Sequence, residues 1–122
     1  MTEIEALEKS IIQWEWLWDN PCRNKYDYFM SNDIDIKEVP FWCCYLCEYS
    51  YNHDEGELDC SKCPVWEWSS VYIKNGAPPC TLESSPYMLW CYSYNIPETK
   101  EGSEDMLTLL KKNLERVRNK SI

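Results

Sequence analysis

Four of the eight cysteines form two Cys-x-x-Cys pairs, Cys44 with Cys47 and Cys60 with Cys63, which are separated by residues 48–59. This spacing constrains the fold more than any other feature, because a two-residue gap lets one turn of backbone offer two sulfurs to the same ion. The connection is somewhat shorter than the about 15–20 residues common in four-cysteine sites, but it is long enough to fold back. The pattern predicts one Zn²⁺ held by all four thiolates.

Two other interpretations of the same cysteines remain open. The four thiols pair as two disulfides if the chain resides in an oxidising compartment. Alternatively, one pair acts as a dithiol redox centre, which normally lies on a strand-to-helix turn of a βαβ unit. The sequence signals neither context, so zinc is the favoured prediction. Cys22, Cys43, Cys80 and Cys91 are then expected to be free thiols, mostly buried.

The length of the chain limits the number of domains and the size of the core. A chain of 122 residues is expected to form a single domain over residues 1–122 with a modest core, to which a metal cross-link would contribute strongly. The acidic start has neither the basic nor the apolar region of a secretory signal, and no apolar run reaches the about 20 residues needed to span a bilayer. We therefore expect a cytoplasmic protein without membrane contact.

The charge of the chain bears on its partners. The formal net charge is −9, and such a surface repels phosphate, so direct binding of nucleic acid is not expected. One interpretation of this acidity is solubility. The other is that acidic patches dock on a basic surface of a partner protein.

The aromatic composition also points to protein contacts. Seven Trp and nine Tyr accompany only two Phe, and Tyr and Trp are favoured at interfaces because they combine apolar area with a polar group. Some of these rings must build the core, since Leu, Ile and Val are few. Trp66 and Trp68 are the candidate partner-binding residues, and the alternative is that both belong to the core.

Both ends of the chain carry amphipathic helical patterns. Residues 2–19 begin with a capping box of Thr2 and Glu5, and Ser103 is the predicted N-cap of the last helix. We expect these two helices to pack together in a mainly α, small helical domain stapled by the zinc knuckle. The apolar positions with three- and four-residue steps are Ile4, Leu7, Ile11, Trp14 and Trp18 in the first helix and Leu107, Leu110, Leu114 and Val117 in the last.

The middle of the chain has weaker signals. Residues 21–40 are predicted to be an irregular acidic insertion, residues 41–51 a short helix or turn, and residues 52–59 a polar loop in which His53 is exposed rather than a fifth ligand. Residues 65–73 form either a short helix that ends near Gly76 or two brief strands. Ser84-Ser85-Pro86 is a predicted helix start that runs towards Tyr94, and Pro97 ends that helix.

A family resemblance rests on the order of the cysteine motifs. The motifs are Cys44-Tyr-Leu-Cys47, Cys60-Ser-Lys-Cys63-Pro64-Val65 and Cys80 shortly before Ser85-Pro86-Tyr87, all behind the N-terminal helix. In this order the chain resembles small, mostly uncharacterised cysteine-rich proteins of tailed bacteriophages and prophages over roughly residues 6–95. The resemblance implies a zinc knuckle at the two pairs, and it leaves Cys80 or Cys43 as a replacement for one of the four ligands.

Catalysis is not expected, because four cysteine ligands close the zinc and a single histidine supplies no triad. The leading functional hypothesis is a small viral zinc-binding protein that binds a host or bacterial defence protein with a basic surface and inhibits it. Its viral context comes only from the resemblance. The alternatives are a zinc-stabilised structural or regulatory phage module without inhibitory activity, and a protein that sequesters a nucleotide signal in an aromatic pocket.

Overall fold

Helices joined by brief connections make up most of the chain in the computed structural model, which describes residues 1–40, 43–52, 54–72, 78–82, 85–93 and 95–120. The mainly α fold predicted from the sequence is confirmed. Single 3₁₀ turns lie at Ile36–Glu38, Cys60–Lys62 and Pro79–Thr81. The regular elements are α1 (Glu3–Asp19), α2 (Lys25–Ser31), α3 (Tyr45–Ser50), β1 (Tyr51–Asn52), β2 (Glu57–Leu58), α4 (Trp66–Ser69), α5 (Pro86–Cys91) and α6 (Ile96–Lys120).

The first helix begins where its capping box predicts. The Glu5 backbone amide donates to the Thr2 hydroxyl at 3.1 Å, and the Thr2 amide donates to the Glu5 carboxylate at 3.3 Å. These two bonds satisfy amides that the first turn of a helix leaves without internal partners. α1 ends at Asp19, just before the Asn20-Pro21 step.

The last helix begins earlier than predicted. Its first residue is Ile96, and the Asn95 side chain accepts from the Glu98 amide at 2.9 Å. Pro97 lies within the first turn, where a proline costs no helical hydrogen bond. The predicted N-cap at Ser103 is therefore wrong: Ser103 is buried in mid-helix, and its hydroxyl donates to the Thr99 carbonyl at 3.0 Å.

The main core lies between the two terminal helices, as the sequence predicts. Buried apolar side chains of α1 meet those of α6, and α3 and α4 add one side of the cluster. Trp18, predicted on the apolar stripe, is more than a third exposed, and Leu17 takes the buried position instead. The core residues are Leu7, Ile11, Trp14, Leu17, Leu46, Val65, Trp68, Met106, Leu110, Leu114 and Val117.

A second, smaller cluster of aromatic side chains is built around residues 21–40, where the sequence predicts irregular structure. This segment contains α2, whose capping box joins Asn24 and Asp27 through two bonds of 2.9 Å. Tyr28 and Phe29 of this helix pack edge-on at 5.1 Å between ring centroids, and Phe29 lies 5.8 Å from the ring of Tyr45. The prediction of irregular structure is therefore wrong for Lys25–Ser31.

The predicted loop at residues 52–59 contributes to a minimal antiparallel ladder. Tyr51 pairs with Leu58 and Asn52 with Glu57, and Gly56 takes a positive φ of 66° in the turn. After the second cysteine pair the chain forms the short helix α4 rather than two strands. His53, Gly76 and Tyr94 lie outside the described residues, while α5 begins at the predicted Ser85 cap and ends at Cys91.

Two contacts fasten the short helices to α6. Asn113 accepts a hydrogen bond from the Trp66 amide at 2.8 Å and donates to the Glu67 carboxylate at 3.1 Å, which holds α4. Gly102 lies against Trp90 of α5 so closely that a Cβ on the glycine would come within 2.8 Å of the Trp90 Cα. α6 therefore positions α4, which follows the second cysteine pair, and α5, which follows Cys80.

Candidate metal centre

The two cysteine pairs are carried by two short turns of chain. Cys44 is the N-cap of α3, and the Cys47 backbone amide donates to its sulfur at 3.4 Å. Cys60 begins a 3₁₀ turn, and Cys63 follows that turn, immediately before Pro64. Each pair thus has the tight backbone that its two-residue gap predicts.

The pairs face each other across two adjoining cavities. The smaller has a volume of about 20 Å³, and its cysteine lining consists of Cys47, Cys60, Cys63 and Cys80. The larger has a volume of about 240 Å³ and is bordered by Cys44, Cys47, Cys60 and Cys80. About 10–15 Å³ accommodates one water molecule. The smaller cavity, which four cysteines border, therefore has room for one water-sized molecule or ion.

Hydrogen bonds and charge favour the thiolate form of Cys44. A hydrogen bond with the Cys47 side chain, aided by the Lys25 ammonium and opposed by burial, lowers the pKa of Cys44 to about 6. The same thiol–thiol bond, together with burial, raises the pKa of Cys47. Cys44 is therefore the more readily ionised thiol of the first pair.

Burial keeps the other thiols protonated. It raises the pKa of Cys60 and Cys63, and it raises the pKa of Cys80 to about 11. The negative charge of Cys44 acts in the same direction on all three. A bound cation would reverse this order, because a metal ion displaces the proton of a coordinating thiol.

Lys25 provides a positive charge beside the thiols. Burial disfavours its ammonium, but the charges of Cys44 and Tyr87 outweigh that effect, so the pKa of Lys25 is raised. The ammonium lies 4.5 Å from the centroid of the Tyr87 ring. Lys25 thus partly offsets the negative charge of thiolates in this segment, a role that sequence reasoning missed because α2 was predicted to be irregular.

All eight cysteines are free thiols in the structure, so neither predicted pair forms a disulfide. Within the described part of the chain, no three Cys, His, Asp or Glu side chains are arranged to hold a metal ion. Cys47 and Cys60 border both cavities, whereas Cys44 borders only the larger and Cys63 only the smaller. The donor chemistry nonetheless fits Zn²⁺, which prefers soft thiolates in fours.

The remaining cysteines divide into two groups. Cys80 borders both cavities. Cys43 packs against the aromatic cluster of Tyr28, Phe29 and Tyr45, and its φ of 56° is unusual for a residue with a side chain. Cys43 and Cys80 are half-buried and Cys22 and Cys91 are exposed, so the prediction that these four thiols are mostly buried is wrong.

The two candidate partner-binding tryptophans have opposite environments. Trp68 is 8% exposed and belongs to the main core, which is the alternative that the sequence left open. Trp66 is 57% exposed. It borders a cleft of about 440 Å³ that also contains Lys62, Arg116 and Lys120.

Comparisons with protein families, curated proteins and solved structures find no match for this chain. Every helix in the described ranges is too short or too polar to cross a bilayer.

Proposed function

We propose that this chain is a binding module whose central segment is stapled by one Zn²⁺ at Cys44, Cys47, Cys60 and Cys63. The observation that carries the proposal is that both pairs contribute to the lining of the same two cavities, since sequence spacing alone did not require them to meet. Zinc in such a site cross-links short elements and has no open position for a substrate. The proposed role is therefore binding rather than catalysis.

Trp66 supports a protein partner. Its ring is exposed while its backbone amide is fixed by Asn113 at 2.8 Å, so the residue is presented from a rigid base. Large aromatic side chains held in this way are the usual anchors of protein interfaces, because little conformational entropy is lost when they are buried.

The charges around Trp66 indicate the kind of partner. Lys62, Arg116 and Lys120 share its cleft with one carboxylate, that of Glu3, although the chain as a whole has a net charge of −9. Charge complementarity therefore favours a partner segment with acidic and apolar side chains at this cleft. The basic partner predicted for Trp66 is not favoured by these cleft charges, and inhibition of a defence protein is supported only by the phage resemblance.

A nucleotide-sequestering role has one specific observation in its favour: the cavity of about 240 Å³ contains Trp14, Tyr87 and Lys25. Two features weigh against it. The volume is below the about 300–1,000 Å³ of ordinary ligand pockets. Trp14 and Tyr87 also pack edge-on at 6.3 Å, with planes 80° apart, so the rings do not form two parallel walls around a base.

Metal content tests the first half of the proposal. Protein purified without chelators is expected to contain about one equivalent of zinc by elemental analysis, and reduced, metal-free protein should take up one equivalent of added Zn²⁺. Less than about half an equivalent in both preparations would contradict the proposed staple.

Selection from a random peptide library tests the second half. The zinc-loaded protein should enrich peptides that combine Asp or Glu with apolar residues, and Trp66→Ala should abolish that enrichment. Tyr92→Ala is the matched control, because Tyr92 is 67% exposed and lies outside the cleft lining. Equal enrichment by all three proteins would remove Trp66 from the proposed interface.

A further inference from the structure

The position of Cys80 is the strongest feature that the proposed ligand set leaves unused. Cys80 borders the void of about 20 Å³ together with Cys47, Cys60 and Cys63, and it also borders the larger cavity together with Cys44. Of the eight cysteines, only Cys47, Cys60 and Cys80 border both cavities. Cys80 therefore shares a cavity wall with each of the four proposed ligands.

The backbone holds Cys80 at this place independently of the other thiols. It lies in the 3₁₀ turn Pro79–Thr81, and the Ser85 hydroxyl donates to its carbonyl oxygen at 2.5 Å. Ser85 is also the N-cap of α5, because the Met88 amide donates to the same hydroxyl at 3.2 Å. α5 in turn rests on α6 at Gly102. The sulfur is thus supplied by an element that is fastened to the main core.

We infer that Cys80 is a ligand of the same metal ion, so that five thiols serve a site with four coordination positions. The inference rests on the proposed function, because it requires that the metal binds. Zinc with thiolate ligands is four-coordinate in structural sites, so one of the five sulfurs is left outside the coordination sphere at any time. Cys80 loses its thiol proton on binding, and the proton passes to solvent.

The alternative is that Cys80 is a buried thiol of the cavity wall. Free cysteine is among the residues most often buried and packs as a small apolar side chain. Its position beside both pairs favours coordination over packing, because Cys80 borders each cavity together with three of the four proposed ligands. The two roles differ in one measurable respect, which is a bond to the metal.

Cadmium substitution tests this bond in the intact chain. In protein loaded with ¹¹³Cd²⁺, scalar coupling between the metal and the cysteine β-protons identifies each ligand separately. The expected spectrum has correlations from Cys80 and from members of the two pairs. Correlations from Cys44, Cys47, Cys60 and Cys63 without one from Cys80 would overturn the inference and leave the proposed staple intact.

Two variants test the same metal–sulfur bond without assignment of the cysteine β-protons. Cys80→Ser should still bind the metal through the remaining four thiols but should shift the ¹¹³Cd resonance, because a different sulfur enters the coordination sphere. Cys43→Ser is the matched control, since Cys43 packs in the aromatic cluster, and it should leave the resonance in place. An unshifted resonance in both variants contradicts the inference, whereas failure of the wild-type protein to bind either metal contradicts the proposed function instead.

Discussion

The terminal helices α1 and α6 and the central segment between them, which carries the two cysteine pairs, are stabilised by different interactions. α1 and α6 have 17 and 25 residues and bury a continuous apolar seam. Between them, α3, α4 and α5 have only six, four and six residues. Helices that short have no independent stability in water. The terminal pair is stabilised mainly by its own packing, whereas the central segment needs contacts from outside itself.

Removing one cysteine pair should separate the two regions most strongly. A structural zinc site contributes on the order of 10–16 kcal/mol, comparable to the whole stability of about 5–15 kcal/mol of a typical domain. Cys44→Ser/Cys47→Ser leaves only Cys60, Cys63 and Cys80 at the two cavities, so we expect loss of zinc and of part of the near-UV circular dichroism of the aromatic side chains. Cys22→Ser/Cys91→Ser, which removes two exposed thiols, should retain both. Similar spectra and zinc contents for the two double variants would show that the segment does not depend on metal.

A cavity in the terminal pair should lower stability whether or not metal is bound. Leu110 is fully buried, and Leu110→Ala is expected to reduce the free energy of unfolding by about 2–5 kcal/mol in urea denaturation. Ile12→Ala is the control on the facing helix, since Ile12 is 57% exposed and should change it by less than about 0.5 kcal/mol. If the Leu110 variant lost stability only in the zinc-loaded protein, the two regions would not be held independently.

Asn113 connects the regions, so its replacement should have an intermediate effect. Asn113→Leu removes the acceptor of the Trp66 amide and a donor to Glu67, and we expect a cost of about 1–3 kcal/mol from the buried groups left unpaired. The loss should include faster hydrogen exchange at the Trp66 amide. Thr108→Ala, an exposed position on the same helix, is the control. Unchanged exchange at Trp66 would mean that α4 is held by other contacts.

The smallest expected effect is at the start of α1. Thr2→Ala removes the hydroxyl that caps the Glu5 amide and should cost about 1 kcal/mol, within the usual range of about 0.5–2 kcal/mol for such caps. Thr2→Ser keeps the acceptor and should stay near the wild-type melting temperature. A lower melting temperature for the serine variant than for the alanine variant would contradict the capping role.

The sequence predicted the terminal region well because its signals are local. Three- and four-residue apolar steps and the Thr2 capping box depend only on neighbouring positions, and they placed α1 to within one residue. The start of α6 was missed because Ser103 has the side chain of an N-cap, while the actual cap, Asn95, precedes a proline in the first turn. Glu98, three residues after Asn95, was the available signal.

The candidate site could be predicted only in part, because much of it is not encoded by neighbouring residues. The two-residue gaps identified the pairs, but the position of Cys80 and Lys25 beside them depends on contacts far apart in sequence. Asn24 and Asp27 form a capping box that signalled α2 and, with it, the place of Lys25. Nothing local distinguishes Trp66 from Trp68. The two residues lie on nearly opposite faces of one helical turn, and which ring is buried depends on what packs against that turn.

The two fastening points on α6 also set a length rule. Gly102 lies against Trp90, and the Asn113 side chain accepts a hydrogen bond from the Trp66 amide. Gly102 and Asn113 are about three helical turns apart, so both lie on one face of α6. Inserting a single residue between them would rotate one point by about 100° and advance it by about 1.5 Å relative to the other. The number of residues between Gly102 and Asn113 is therefore fixed, even though an exposed side chain between them, such as that of Thr108, is free to vary.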